Sequence, residues 1–312
     1  MHKLLVTGAN GYVGSALCRA LCDHQISFVG SVREKTAQSQ IKIGNLTGAT
    51  KWSDALSGCD VIIHLAARVH VMKDKVSDPI AAYRETNVAA TMNLARQAVE
   101  LGVKRFVFVS SVKVNGEVTK DQSFTPHDIP MPIDPYGQSK LEAELALKEL
   151  SHKTGLELVI IRPPLVYGPN VRANFLRLMR LVKSGMPLPF GAVHNRRSMV
   201  ALDNLTDLLI VCSRHPEAAG QTFMVSDDND VSVSELIRMI ASAMGKRSLL
   251  IPLPSSILTG AASILGKSEV ANRLIGSLQV DISHTKATLG WKPIISMPDA
   301  LHKTVEHFTS HL

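Results

Sequence analysis

Tyr136-Gly137-Gln138-Ser139-Lys140 sets a phenol and an amine four residues apart. On a helix that spacing places both on one face. A free phenol, with a pKa of ~10, is a poor acid or base at neutral pH, but an ammonium within a few ångström stabilises phenolate and draws the pKa toward neutrality. Tyr136 would then exchange a proton with a carbinol or carbonyl while hydride moves to or from a cofactor. Alone, the spacing is no more than a Tyr and a Lys one turn apart; a cofactor loop gives it meaning. Thr7-Gly8-Ala9-Asn10-Gly11-Tyr12-Val13-Gly14 supplies one, after a strand and before the helix opened by Ser15-Ala16-Leu17. Its glycines, spaced G-x-x-G-x-x-G, let the backbone turn sharply and approach a pyrophosphate, whose charge suits the amides at a helix N-terminus.

A carboxylate ~20 residues further on would accept from the adenosine 2′-hydroxyl of NAD, whereas an Arg would accommodate the 2′-phosphate of NADP. The second strand ends Gly30-Ser31-Val32-Arg33-Glu34-Lys35, with Ser31 and Arg33 at its tip, so NADP(H) is expected. Glu34 keeps NAD(H) open if the strand ends later.

Positioning these groups requires a parallel sheet. Apolar runs at Leu4–Val6, Phe28–Val32, Val61–Leu65, Phe106–Val109 and Leu158–Ile161 alternate with helical segments near 14–22, 81–101 and 136–152. That alternation predicts a doubly wound α/β sheet with its ligands at the carboxyl ends of the strands. Asp134 is the expected N-cap of the last helix and Pro135 its first residue. After Arg162-Pro163-Pro164 the texture changes to helices near 172–184, 202–213 and 233–244 with Pro-bearing loops, marking a smaller second domain that shares a cleft with the first.

The 312 residues suffice for two domains, and 45% hydrophobic with 20% charged residues excludes disorder. A net charge of +7 selects no partner class, and no nucleic-acid partner is expected. Cys18, Cys22, Cys59 and Cys212 form no C-x-x-C pair and read as small buried apolar residues. No cluster suggests a metal. No run approaches the ~18 apolar residues of a membrane span, and Ser255 to Gly266 reads as a core or surface helix. The expected address is cytoplasmic.

Together these segments resemble the extended short-chain dehydrogenase/reductases, in the group of UDP-glucose 4-epimerase and related nucleotide-sugar enzymes. Besides the glycine turn and Y-x-x-x-K, the likeness includes His64-Leu65-Ala66-Ala67, Asn87-Val88-Ala89-Ala90-Thr91 and Ser110-Ser111-Val112-Lys113-Val114-Asn115-Gly116. Further along come Arg162-Pro163-x-x-Val166-Tyr167-Gly168-Pro169 and Asp281-x-Ser283-x-x-Lys286 with Leu289-Gly290-Trp291-x-Pro293. The resemblance implies a Rossmann-type domain over 1–165, with a returning segment near 197–225, and a nucleotide-sugar domain from 166–196 and 226–312. It implies a catalytic triad of Ser111, Tyr136 and Lys140, with Ser110 as the alternative hydroxyl and His64 supporting the cofactor loop. Cofactor contacts are implied at Gly8, Asn10, Gly11, Tyr12, Val13, Gly14, Ser31, Arg33, Asn45, Leu46, Leu65, Ala66, Ala67, Asn87 and Pro163, besides Tyr136 and Lys140. It also implies a homodimer, through helices at 81–101 and 136–152.

Two departures narrow the chemistry. Dehydratases of this group carry Asp-Glu directly after the triad hydroxyl, for an elimination that needs an extra acid and base; here Val112-Lys113 stands there, which argues against a 4,6-dehydratase. The missing ribose acid favours a reductase that exchanges NADPH over an epimerase that retains NAD. From Leu158 to Leu202 there are seven basic residues, Arg162, Arg172, Arg177, Arg180, Lys183, Arg196 and Arg197, and no acid, which suits a diphosphate. Arg177 and Arg180 are expected on a solvated face. By resemblance Asn174 and Arg197 grip a UDP diphosphate, with Ser111, Lys113 and Arg273 as further substrate contacts. The expected function is therefore NADP(H)-linked reduction at C4 of a UDP-4-keto-6-deoxy-hexosamine for surface polysaccharide. The alternatives are a UDP-glucose or UDP-N-acetylglucosamine 4-epimerase, and a non-catalytic dinucleotide sensor.

Overall fold

The computed structural model describes residues 3–34, 40–69, 78–264 and 274–311. Short apolar segments form β1 (Leu4–Thr7), β2 (Phe28–Val32), β3 (Gln40–Lys42), β4 (Val61–His64), β5 (Arg105–Val109), β6 (Glu157–Arg162), β7 (Leu165–Tyr167), β8 (Met199–Ala201) and β9 (Thr222–Met224). Seven of these make one all-parallel sheet in the order β3-β2-β1-β4-β5-β6-β9, and β7 pairs with β8 apart from it. Parallel neighbours need crossovers. These run through α1 (Tyr12–Asp23), α2 (Ser53–Leu56), α3 (Pro79–Arg84), α4 (Ala90–Glu100) and α5 (Pro135–Thr154). The strand order reverses between β1 and β4, so the loops leaving those strands part there and open a crevice.

Alternation along each strand sends side chains to two cores. Leu4, Val6, Ile63, Val107 and Ile161 pack on the face covered by α1 and by α7 (Leu202–Cys212), with Leu17, Leu21, Leu205 and Leu208. Leu5, Ile62, Phe106, Phe108 and Ile160 meet Leu94, Ala98, Ala143 and Leu147 from α4 and α5 on the other. A third core gathers Tyr167, Phe175 and Met179 with Ile237, Ile240 and Leu301, from β7, α6 (Ala173–Lys183), α8 (Val233–Ala243) and the closing helix Met297–Ser310. Segment 197–225 belongs to both parts, because β8 pairs with β7 while α7 packs on α1 and β9 joins β6.

The single helix expected over 81–101 is instead α3 and α4 joined by a five-residue π turn, Glu85–Ala89. Asn87 sits in it, 1% exposed, and accounts for the irregularity by reaching inward for partners. Of the cysteines expected to be buried, Cys59 and Cys212 are, but Cys18 is half-buried and Cys22 exposed on the outer face of α1. Ser255–Ile264 forms a helix, α9, with most of its first six residues exposed. Among the described residues no helix is long and apolar enough to cross a membrane, and no cluster of His, Cys, Asp and Glu could hold a metal.

Candidate active site

The turn after β1 is built for close approach. Gly8 lies at φ +68°, and a Cβ on Gly14 would fall 2.1 Å from the Gly8 carbonyl oxygen. Gly11 donates its amide to the Gly8 carbonyl (2.8 Å) and begins α1, whose N-terminus carries no side-chain cap and no acid in its first turn. Uncapped amides at a helix start, reached by backbone without Cβ atoms, fit the pyrophosphate of a dinucleotide. The residues present therefore fit the cofactor that the glycines imply. The side chain of Tyr12 does not join this surface; it runs toward Gly168 and packs with the third core, leaving only its backbone at the turn.

Opposite the glycine turn, the Thr7 hydroxyl accepts from Leu65 N (3.1 Å) and Ala66 N (3.2 Å), fixing the Leu65-Ala66-Ala67 loop against Gly8. With its acceptor sites occupied, that hydroxyl donates to His64 Nδ1 at 2.8 Å, which makes Nε2 the protonated nitrogen facing Thr91 Oγ1 at 2.9 Å. Burial, and then the Lys140 charge, push the His64 pKa down to about 3. His64 is thus a neutral brace for the loop, as expected.

Asn87, expected at the cofactor, is spent on the protein. Its Oδ1 accepts from Arg68 N (2.8 Å), and its Nδ2 donates to Arg68 O (3.0 Å) and Ser139 Oγ (2.9 Å). Ser139 in turn donates to the Tyr136 carbonyl at 2.8 Å, so the π turn holds the head of α5. Pro163 is likewise buried, with its carbonyl accepting from Val112 N at 3.0 Å.

The head of α5 is where sequence and geometry agree best. Pro135 is its first residue, and Asp134 Oδ1 accepts from Gly137 N at 2.7 Å. Ser111 stands beside the Tyr136 hydroxyl and favours the phenolate, but burial first and then Asp134 and Tyr83 hold its pKa above the ordinary value. Ser111 accepts from Lys113 N at 3.2 Å, while the buried hydroxyl of Ser110 has no hydrogen-bond partner among the described residues. Lys140 is 2% exposed, donates to the Val109 carbonyl at 2.8 Å and lies 4.4 Å over the Phe108 ring; burial pushes its pKa down to about 7 against the pull of Glu144. The expectation that Lys140 lowers the Tyr136 pKa is not what the chain alone achieves. The amine is turned to the Val109 carbonyl, and the charge that raises the phenol's pKa is the Asp134 carboxylate.

Other expected residues divide. Ser31 is buried on β2, its carbonyl accepting from Ala9 N. Arg33 is exposed just past the strand, and Glu34 beyond it pairs with Lys42 at 2.7 Å. Asn45 is exposed and Leu46 half-buried in the loop after β3. Lys113 is tied to Glu117 (2.8 Å) and to Asp134. Arg162 also leaves the diphosphate set, since it makes a buried bidentate pair with Glu144 (3.0 and 2.6 Å) and donates to Asn115. Arg177 and Arg180 are exposed, as expected. Arg197 is half-buried, donates to the Gly276 carbonyl (2.9 Å) and faces Glu117; burial lowers its pKa. Asn174 is exposed at the start of α6, following left-handed φ values at Asn170 (66°) and Ala173 (54°). Arg273 lies outside the described residues.

A glycine turn at one strand end and a Ser–Tyr–Lys set two strands away are the working parts of a short-chain dehydrogenase/reductase, and the comparisons agree. Residues 4–226 match the model of the NAD dependent epimerase/dehydratase family, and the chain belongs to that family. It is 45% identical to UDP-glucose 4-epimerase of Vibrio cholerae over 312 residues, covering 98% of this chain and 95% of that one. Its fold is similar to that of UDP-glucuronic acid 4-epimerase from Bacillus cereus in complex with NAD (TM-score 0.80, 22% identity, 99% and 97% covered). It is also similar to that of UDP-glucose 4-epimerase from Thermotoga maritima with UDP-glucose (TM-score 0.77, 21% identity, 99% of each chain). The sequence's expectation of an extended short-chain dehydrogenase/reductase enzyme on a Rossmann-type sheet is therefore met.

Proposed function

We propose that this enzyme is a UDP-hexose 4-epimerase that retains NAD, with UDP-glucose as its first candidate substrate. The observation that carries the reading is the placing of Ser111 beside Tyr136, one turn before the buried Lys140, at the carboxyl end of the sheet that bears the glycine turn. The Vibrio cholerae relative favours epimerisation over reduction, so the 4-keto-6-deoxy reductase expected from Arg33 gives way to the alternative. The NADP(H) preference goes with it, since it rested on Ser31 and Arg33 standing at the tip of β2 in place of a ribose acid, and the Bacillus cereus neighbour is described with NAD.

In this reading Tyr136 takes the proton of the C4 hydroxyl and later returns it, Ser111 holds the same oxygen, and Lys140 anchors the floor of the site. When bound, NAD supplies the hydride acceptor and donor at C4, and its positive ring supplies the charge that makes phenolate accessible. The uncapped amides of α1 hold the pyrophosphate, with the loops at Ala66 and Asn45 alongside. Arg197 and Asn174 are the diphosphate residues of the sugar nucleotide, the segments 166–196 and 226–312 its domain. The enzyme is cytoplasmic and a homodimer, pairing through α4 and α5, beside which α3, α4 and α5 line an open groove of about 910 Å³.

Denaturing purified protein and identifying the released dinucleotide tests this. Near-stoichiometric NAD is expected; an emptied site that then binds NADPH in preference to NADH would restore the reductase.

A further inference from the structure

Lys113 stands where a dehydratase of this group would have an acid, and the reaction above gives it no task. Its surroundings do. Its ammonium bonds Asp134 Oδ2 and Glu117 Oε1 (2.8 Å), and the side chains of all three are at most a quarter exposed. The other oxygen of Asp134 caps α5 through Gly137 N, one residue past Tyr136. The Lys113 backbone also touches that helix: a Cβ on Gly137 would lie 2.8 Å from the Lys113 carbonyl oxygen. Its amide donates to Ser111 Oγ, beside the Tyr136 hydroxyl. The turn carrying Ser111 and the helix head carrying Tyr136 are thus locked together at Lys113.

We propose that Lys113 is a positioning residue whose ammonium screens the Asp134 carboxylate from Tyr136 and seats the Ser111 turn against α5. This role rests on the acid–base part given to Tyr136 above. The groups facing that phenol are Asp134 and, one turn along, Lys140 on its own helix; Tyr83 from α3, with Arg68 stacked on it; and Ser111 with Lys113 from the turn. Asp134 opposes phenolate formation, and its pairing with Lys113 offsets part of that charge while it caps the helix. Glu117 extends the cluster, because it also faces Arg197. Asp134, Lys113 and Glu117 then link the phenol to Arg197, the candidate diphosphate residue.

The test uses Lys113→Met, Lys113→Arg, Asp134→Asn and the double variant that combines Lys113→Met with Asp134→Asn, all as holoenzyme, since Asn caps a helix as well as Asp does. In Lys113→Met the rising limb of the pH profile of kcat/KM moves up by about one unit, a roughly tenfold loss at pH 7 that is recovered at higher pH. Lys113→Arg restores the limb, Asp134→Asn moves it down, and the double variant behaves as Asp134→Asn. Ultraviolet titration of tyrosinate, with Tyr136→Phe identifying the signal among the four tyrosines, shows the same shifts without turnover. A loss in Lys113→Met that is equal at every pH with the titration unmoved, or an upward shift that persists in the double variant, would overturn the proposal. A Tyr136→Phe enzyme that still turns over would instead sink the role of Tyr136, while the titration still reports on Lys113.

Discussion

Half-buried Tyr136 and buried His64 both lie near Lys140, yet only one is placed for proton exchange. His64 has both ring nitrogens committed, to Thr7 and Thr91, whereas the Tyr136 hydroxyl stands beside Ser111 with no such pair of partners among the described residues. Replacing Tyr136 by Phe therefore lowers kcat by about 10²–10⁴-fold while the dinucleotide content of the purified protein is unchanged. His64 acts on stability. Its pKa is about 3 folded against 6.5 as a free side chain, so the unfolded chain binds more protons between those values. Stability from this site is intact above pH 6.5 and falls as pH drops toward 3, by about 1.4 kcal/mol per unit at most. Urea unfolding across that window shows a shallower pH slope, by one proton, in His64→Gln than in the parent.

At the scale of elements, the site is made by helix and strand ends. A Cβ at residue 14 would meet backbone rather than a flexible side chain, so Gly14→Ala forces the turn open and the purified protein loses most of its dinucleotide. The β6–α5 joint depends on Arg162 and Glu144, 2% and 1% exposed in their side chains. Arg162→Met leaves a buried carboxylate unpaired and costs about 3–5 kcal/mol in urea unfolding. These elements were readable from the chain to different degrees. Asp134-Pro135 and the glycine turn announce their helix starts because capping and close approach are local, residue-type effects. Arg162 looked like a phosphate ligand because its partner, Glu144, is near only once β6 lies beside α5. The bonds of Asn87 to Arg68 and Ser139 were not legible for the same reason, since they join three separate segments. Thr7, which fixes the loop after β4, gave no signal beyond being the last residue of a strand.

For the whole molecule, the alternating apolar runs sufficed to place the five long strands, but β3, β7, β8 and β9 have three residues each and carry too little pattern to stand out. A dimer is expected on the same reading: the protein sediments as one, and a charge introduced at exposed Leu145 on α5 dissociates it without unfolding the monomer. Sedimentation velocity on parent and Leu145→Asp distinguishes this from a monomer. Catalysis at C4 with retained NAD is tested most directly by incubating purified enzyme with UDP-glucose and no added cofactor, following the anomeric signals by proton NMR. UDP-galactose is expected to rise to equilibrium, and the reverse reaction to reach the same ratio. Unchanged UDP-glucose, together with NADPH oxidation when a UDP-4-keto sugar is offered, would contradict it.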